Sequence, residues 1–360
     1  MPILGHEPLE TLARDIFQAI RVPPAGAAWM AQLLVWANLR GHDSHGVIRI
    51  PQYIASWRKG DANPTAEPEI VQEGPATALV DGKLGFGQIV TRRGMEVAMD
   101  KAAAVGVASV GIFNSNHIGR LADYTEMALQ RDMLAILAVN AGGAGQRMAP
   151  WGGRAPRLST NPIAFACPTG NPAPISFDIA TTVAAEGKVR VKRNRKEQIP
   201  LGWILDADGR PTTDPNALYG TPPGTILPAG GHKGYCLSLM IEVLAGIMAR
   251  GGYSREHPGP IRNGVFMIVV DIARFVPPGT FRAEVDDLLR YLKSSPPAPG
   301  TDQILIPGEP EAITEAERRR TGIFVEDQTW DQICEIAREL GVAIPSAERN
   351  LTAQKPCCDA

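Results

Sequence analysis

What the chain lacks narrows its function first. No stretch approaches about 18 uninterrupted apolar residues, so no membrane-spanning helix is expected. Net charge is nearly absent. Lys and Arg total 36 and Asp and Glu 38, leaving −2, too little to draw the chain to nucleic acid or an anionic bilayer. The expected partner is a small molecule, with no nucleic acid and no membrane. Cysteine is scarce, odd in number and scattered (Cys167, Cys236, Cys334, Cys357, Cys358), without a CxxC pair. That suits a reducing compartment, and the expected location is cytoplasmic. The opening "MPILGHEPLETLARDIF" has no basic region followed by an apolar stretch, so no signal peptide is expected. The ending "CCDA" departs from a prenylation box at Asp359 and reads as a frayed tail.

What is present is ordinary for a globular protein: 360 residues, 44% hydrophobic and 21% charged. That length suits one elaborate domain or two to three intimate ones. "PLETLARDIFQAI" and "GAAWMAQLLVWANLR" carry apolar residues at three- and four-residue spacings, with Gly41 as a plausible stop. "TALVDG" reads as a strand and "IVTRRGMEVAMDKAAAVG" as a helix. "VASVGIF", "RLADYTEMALQRD" and "LAILAVN" then read as strand, amphipathic helix and strand, so at least part of the sheet should be parallel. Later stretches read as a strand ("PISFDIATT"), a solvated basic hairpin ("KVRVKRNRK"), a long apolar helix ("GHKGYCLSLMIEVLAGIMARGG"), a buried strand ("NGVFMIVVDIA") and closing helices.

A Rossmann site would show GxGxxG between a strand and a helix, and no such motif occurs; "GKLGFGQIV" lacks the third glycine. "GGHKGY" is not a phosphate-cradling Walker loop. His42, Asp43 and His45 lack the spacing of a zinc site, and no metal is expected. An acid–base reading fits better. His45 and Arg49 stand four apart and would share one face of a helix. Imidazole titrates near neutrality and exchanges a carbinol proton, while the guanidinium fork grips a carboxylate. His117 in "NSNHIGR" follows a strand and is expected at a helix N-terminus, whose positive end lowers an imidazole pKa. Each histidine also has a plain alternative: a hydrogen-bonded loop residue at 45, a helix-start residue at 117. The six basic residues among 188–196 read as solvated, or as offering one charge to the 2′-phosphate of NADP.

"HDSHGVIRIPQY", "NSNHIGR", "STNPIAFACP", "FDIATT", "GHKGY" and "LIPGE", in this order, resemble the type-2 malate/L-lactate dehydrogenases, and within them most resemble the hydroxycarboxylate dehydrogenases. The resemblance implies a non-Rossmann α/β fold, a mixed sheet core with an N- and C-terminal helical cap. It implies a cap over 1–60 and 310–350, a central α/β region over 61–115 and 285–309, a cofactor-binding region over 116–284 and a tail over 351–360. It further implies a homodimer, NAD (or NADP) as cofactor, and hydride transfer at C2 of a 2-hydroxy or 2-keto acid. Reduction of a cyclic imino acid or a diketo sugar acid is the alternative within the family, and a histidine-metal hydrolase the alternative outside it. His45 and His117 become the acid–base candidates and Arg49 the carboxylate anchor. Cofactor contacts fall on His45, on Gly119, Arg120 and Leu121, and on Ser176, Phe177, Asp178, Ile179 and Ala180. They continue at His232 and Lys233, at Asn263, and at Ile306, Pro307, Gly308 and Glu309. The family's more common "DMATS" is "DIATT" here, which keeps the Asp and a hydroxyl.

Overall fold

A computed structural model describes residues 2–257, 259–346 and 348–349. The tail expected over 351–360, with Cys357, Cys358 and the "CCDA" ending, lies outside the described residues. The chain opens with β1 (Pro2–Leu4), α1 (His6–Ala19), α2 (Pro24–Leu39) and α3 (Ile50–Arg58). Next come β2 (Glu69–Glu73), β3 (Thr77–Asp81), α4 (Gly87–Val105), β4 (Val107–Ser115), α5 (Ala122–Thr125), β5 (Met133–Asn140), β6 (Ile163–Cys167) and β7 (Ile175–Ile179). A small lobe follows with α6 (Glu186–Asn194), β8 (Ile204–Leu205), β9 (Pro211–Thr212) and β10 (Thr225–Ile226). The chain closes with α7 (His232–Ile241), β11 (Asn263–Asp271), α8 (Pro278–Lys293), α9 (Glu309–Thr321), β12 (Ile323–Phe324), α10 (Asp327–Glu339) and β13 (Glu348–Arg349). The described residues divide into two compact units, those up to 65 with those from 310 onward, and those over 66–309.

The first unit is helical, with one small antiparallel sheet in the order β12-β1-β13. Helix α1 buries Leu9, Leu12, Ala13, Ile16 and Phe17, the row that three- and four-residue spacing puts on one face. Helix α2 is apolar nearly all round and is buried accordingly, from Ala27 to Leu39. It stops where Gly41 takes φ +84°, the left-handed conformation that ends helices most cheaply on glycine.

The second unit is built on a seven-stranded mixed sheet in the order β2-β3-β4-β11-β5-β6-β7. Only the β3–β4 pair is parallel, joined through α4; every other neighbour is antiparallel. Successive residues of a strand face opposite sides. On β11, Met267 points to α4, where a Cβ on Gly94 would lie 3.3 Å from its methyl and 2.5 Å from Ile112 Cδ1. Phe266 points the other way, onto a cluster of Ala138, Ile241 and Ala245. Helices α4 and α7 therefore cover opposite faces.

Two expectations need correction. The amphipathic helix expected after "NSNHIG" shrinks to the four residues of α5 and a 3₁₀ stretch over Glu126–Arg131. All four α5 residues are buried, so no face remains for solvent. The basic run is not a hairpin but helix α6, anchored by Val189 in the small-lobe core with Ile199, Ile204, Leu218 and Ile226. The long apolar helix at "GHKGY" forms as expected, but its second half, Glu242–Met248, is wound as a π-helix. No helix among the described residues is long and apolar enough to cross a membrane.

Candidate active site

Strand β4 ends at the fully buried Ser115 and delivers Asn116 and His117 to a loop. That loop is braced by the turn before α4. Asn116 Nδ2 donates to the Leu84 and Gly85 carbonyls at 2.7 and 3.1 Å. A Cβ on Gly87 would fall 2.4 Å from the Asn116 carbonyl oxygen and 2.5 Å from that of His117, so only glycine allows this approach. The glycines of "GKLGFG" thus support the histidine loop rather than a nucleotide. His117 stands five residues ahead of α5, not at its N-terminus as expected, and a four-residue helix lends it little dipole.

The next residues join remote segments. The Ile118 amide donates to Asn263 Oδ1 at 3.0 Å, and Asn263 Nδ2 donates to the Asn140 carbonyl at 3.1 Å. The Leu121 amide donates to Asp178 Oδ2 at 2.6 Å. On β7, Ser176 Oγ donates to Glu126 Oε1 at 2.8 Å, while its amide donates to the Pro307 carbonyl at 3.1 Å. Beyond β7, the Ala229 amide donates to Thr181 O and the Val183 amide to Leu227 O, both at 2.9 Å, tying the strand end to the start of α7. Edge strand β7 therefore links nearly all the expected cofactor segments of this unit.

Not every side chain in those segments shares a direction. Ser176 and Asp178 face Glu126 and Leu121, so Phe177 and Ile179 must face away. Phe177 stacks on Phe165, ring centres 5.6 Å apart. Arg120 is 5% exposed, and its Nη1 donates to Asp123 Oδ1 at 2.6 Å. Burial opposes its charge, but Asp123, Glu126 and Asp178 outweigh burial and raise its pKa. Its guanidinium is committed inward, toward Asp123 and Glu126. Burial likewise opposes the charge of Glu309, yet the Lys293 ammonium and the Ile306 amide hold its carboxyl below the usual range.

Nicotinamide dinucleotide chemistry asks for turns that bring bare backbone to phosphate, an acceptor for ribose hydroxyls and a cation for pyrophosphate. The residues fit. Gly119 has φ +84°, and a Cβ there would meet only Gln88 Nε2, at 3.6 Å. Gly308 has φ +104°, with a Cβ 2.8 Å from the Pro174 carbonyl. Gly230 and Gly231 also have positive φ and set up the exposed His232 and Lys233 at the first turn of α7, with Trp151 edge-on to His232 at 6.5 Å.

The first unit presents the other candidates. Residues 43–49 form two 3₁₀ turns, Asp43–His45 and Val47–Arg49, separated at Gly46. His45 and Arg49 therefore do not share a helical face as expected. Instead Arg49 Nε donates back to the Ser44 carbonyl at 2.6 Å and Nη1 to Gln52 Oε1 at 2.7 Å. Ser44 Oγ lies 3.0 Å from His45 Nδ1. His42 Nε2 meets Glu311 Oε1 at 3.3 Å, which braces the start of this segment. Among the described residues, no three His, Cys, Asp or Glu gather around a point suited to a metal ion. Glu126, Asn140 and Asn38 were not singled out from sequence; as isolated polar residues on helix or strand ends they carry no local signal.

A model of the malate/L-lactate dehydrogenase family matches residues 4–334. The L-sulfolactate dehydrogenase of Methanocaldococcus jannaschii is 40% identical over 95% of this chain and 98% of its own. Hydroxycarboxylate dehydrogenase B of Escherichia coli O157:H7 is 33% identical over 94% and 95%. Among solved structures, malate dehydrogenase from Entamoeba histolytica superposes with a TM-score of 0.90 at 28% identity, covering 96% of this chain and 99% of that one. The delta1-piperideine-2-carboxylate reductase from Pseudomonas syringae pvar. tomato superposes with a TM-score of 0.83 at 30% identity, covering 94% and 100%.

Proposed function

Because the chain belongs to the malate/L-lactate dehydrogenase family, we propose that it is an NAD(P)-dependent oxidoreductase that reduces a 2-keto carboxylate to the 2-hydroxy acid and reverses that reaction. The observation that carries this reading is the hydrogen-bonded set around β7 and the loop after β4, in which Ile118, Leu121, Ser176, Asp178, Asn263 and Pro307 converge from four separate stretches of chain. When bound, the nicotinamide supplies or accepts the hydride at C2.

The chain's own groups do the rest. Asp178 accepts from ribose hydroxyls, Lys233 balances pyrophosphate charge, and the amides near Gly119 approach phosphate. Arg49, held by Ser44 O and Gln52, directs its guanidinium fork to the substrate carboxylate. His45, with Ser44 Oγ 3.0 Å from its Nδ1, exchanges the substrate proton. His117 is the second acid–base group. The working form is a homodimer in the cytoplasm.

Titration of NADH and NADPH fluorescence, followed by turnover with pyruvate, oxaloacetate, sulfopyruvate, phenylpyruvate and piperideine-2-carboxylate, tests the reading. Reduction of at least one open-chain keto acid is expected. Turnover of the cyclic imine alone would favour the second reading, prompted by the fold shared with the piperideine-2-carboxylate reductase. No NAD(P)H-dependent turnover, together with stoichiometric zinc in the purified protein, would overturn both in favour of a hydrolase. His45→Ala and His117→Ala should each lower kcat by roughly a hundred- to ten-thousandfold, the usual cost of an acid–base group. Near-full activity in both would sink the residue assignment.

A further inference from the structure

Helix α9 returns beside the His45 turn from the far end of the sequence, within the same unit. In its last turn Arg318 forks onto Asp43. Nη1 donates to Oδ1 at 2.7 Å and Nη2 to Oδ2 at 3.1 Å, and Nη1 also reaches the Asn38 carbonyl. The Arg318 side chain is only 17% exposed, whereas unbraced arginine on a helix end extends into water. Asn38, 3% exposed at the end of α2, completes the arrangement. Its Nδ2 donates to Asp43 Oδ1 at 2.7 Å and its Oδ1 accepts from the Val47 amide at 2.9 Å. One carboxylate and one carboxamide thus hold the first turn at Asp43 and the second at Val47. His45 and Arg49 hang from those two turns.

The geometry points to Arg318 and Asp43 as positioning residues of the reaction, a clamp from α9 that fixes the spacing of His45 and Arg49. This rests on reading His45 and Arg49 as reacting groups. A surface ion pair is worth little by itself. This pair differs because it is bidentate, half-shielded and shared with a buried Asn that bonds the turn's backbone. Its effect should appear in geometry rather than in global stability. Neither residue touches substrate. The clamp matters because two groups on one short loop must meet the two ends of a small 2-keto acid at once.

Arg318→Ala, Arg318→Lys and Asp43→Asn test it in the full-length protein. Asp43→Asn keeps shape and serves if Arg318→Ala folds poorly. Two readouts are needed. Steady-state kinetics should show kcat/KM for the keto acid falling roughly ten- to a hundredfold in Arg318→Ala, the scale of an ångström-sized misplacement. KM for the keto acid should rise by more than KM for the nicotinamide cofactor. Arg318→Lys, which keeps charge but not the fork, should fall between. A drop in kcat that only matches the loss of folded protein seen by circular dichroism, with both KM values unchanged, would overturn the role. Amide hydrogen exchange, read without any turnover, should be roughly tenfold faster or more at residues 45–49 in Arg318→Ala and Asp43→Asn, with α1 unchanged. Unchanged exchange in both variants would overturn the clamp whatever the kinetics. If the wild type itself turns over no keto acid, the functional reading falls and the catalytic role with it, and exchange alone still decides the clamp.

Discussion

At Gly46 the backbone sits at φ −83°, ψ −152°, a region open to any residue, yet a Cβ there would lie 2.1 Å from Asn38 Oδ1. Space rather than backbone freedom demands glycine. Gly46→Ala should therefore push Asn38 off the Val47 amide and cost about 1–3 kcal/mol, the range for overpacking a fitted site. Urea unfolding would measure that loss, and turnover should fall further than stability because His45 moves with the turn. An unchanged midpoint would mean Asn38 yields freely and the site is not tightly fitted. His45 and Arg49 stand out as candidates in the sequence because side chains of complementary chemistry lie close together there. Asn38 and Arg318 do not. Each is an ordinary polar residue at a helix end, and its role exists only once α9 lies against the turn after α2.

Around His117, support comes from the turn after β3. Asp81 Oδ1 accepts from the Lys83 amide at 2.9 Å and from Asn114 Nδ2 at 3.0 Å, joining that turn to the end of β4. Burial pushes the Asp81 pKa up, but the Lys83 amide, Asn114 and the Lys83 ammonium together hold it below the ordinary carboxylate value. A carboxyl whose folded pKa is depressed adds stability that is complete above its unfolded pKa and fades as pH falls through the folded value. Asp81→Asn should lose roughly 1–2 kcal/mol at neutral pH, as when a charged acceptor is removed, and lose progressively less relative to wild type below about pH 4. Thermal melts across pH 2.5–7 would check this; a deficit constant with pH would rule out the carboxylate as the cause. At this scale strands were legible from their apolar runs, and the segments after them less so. The pattern over residues 120–132 looks amphipathic, but Asp123 and Arg120 pair with each other inside the fold, so polar spacing did not mark a wet face. The run at 188–196 looked unanchored because its single buried apolar residue, Val189, is hidden among charges.

For the whole chain, the βαβ stretch pointed to a partly parallel sheet and the family resemblance implied a non-Rossmann α/β fold with a mixed sheet, which the observed sheet bears out. What sequence could not show was that β11 inserts between β4 and β5, since strand pairing across so long a separation leaves no local trace. The same insertion draws the chain before it, α7 with its π-wound extension, across one face of the sheet. There Ile241 and Ala245 turn inward to Ala138, while Leu239, Val243 and Ile247 form the outer row at 48, 47 and 56% exposure. Rows four residues apart lie on one side of a helix, so this is one continuous apolar strip rather than scattered contacts. It leads directly from His232 and Lys233 at the start of the same helix. A twofold pairing of such strips is the self-complementary contact expected of the proposed homodimer. Light scattering on the wild-type protein should give twice the chain mass, and Val243→Glu should give the single-chain mass with its circular dichroism intact. Burying a carboxylate on each side of a symmetric apolar contact is too costly for the pair to persist. A monomeric wild type would refute the homodimer, and a Val243→Glu protein that stays paired would show that the contact does not lie on this strip.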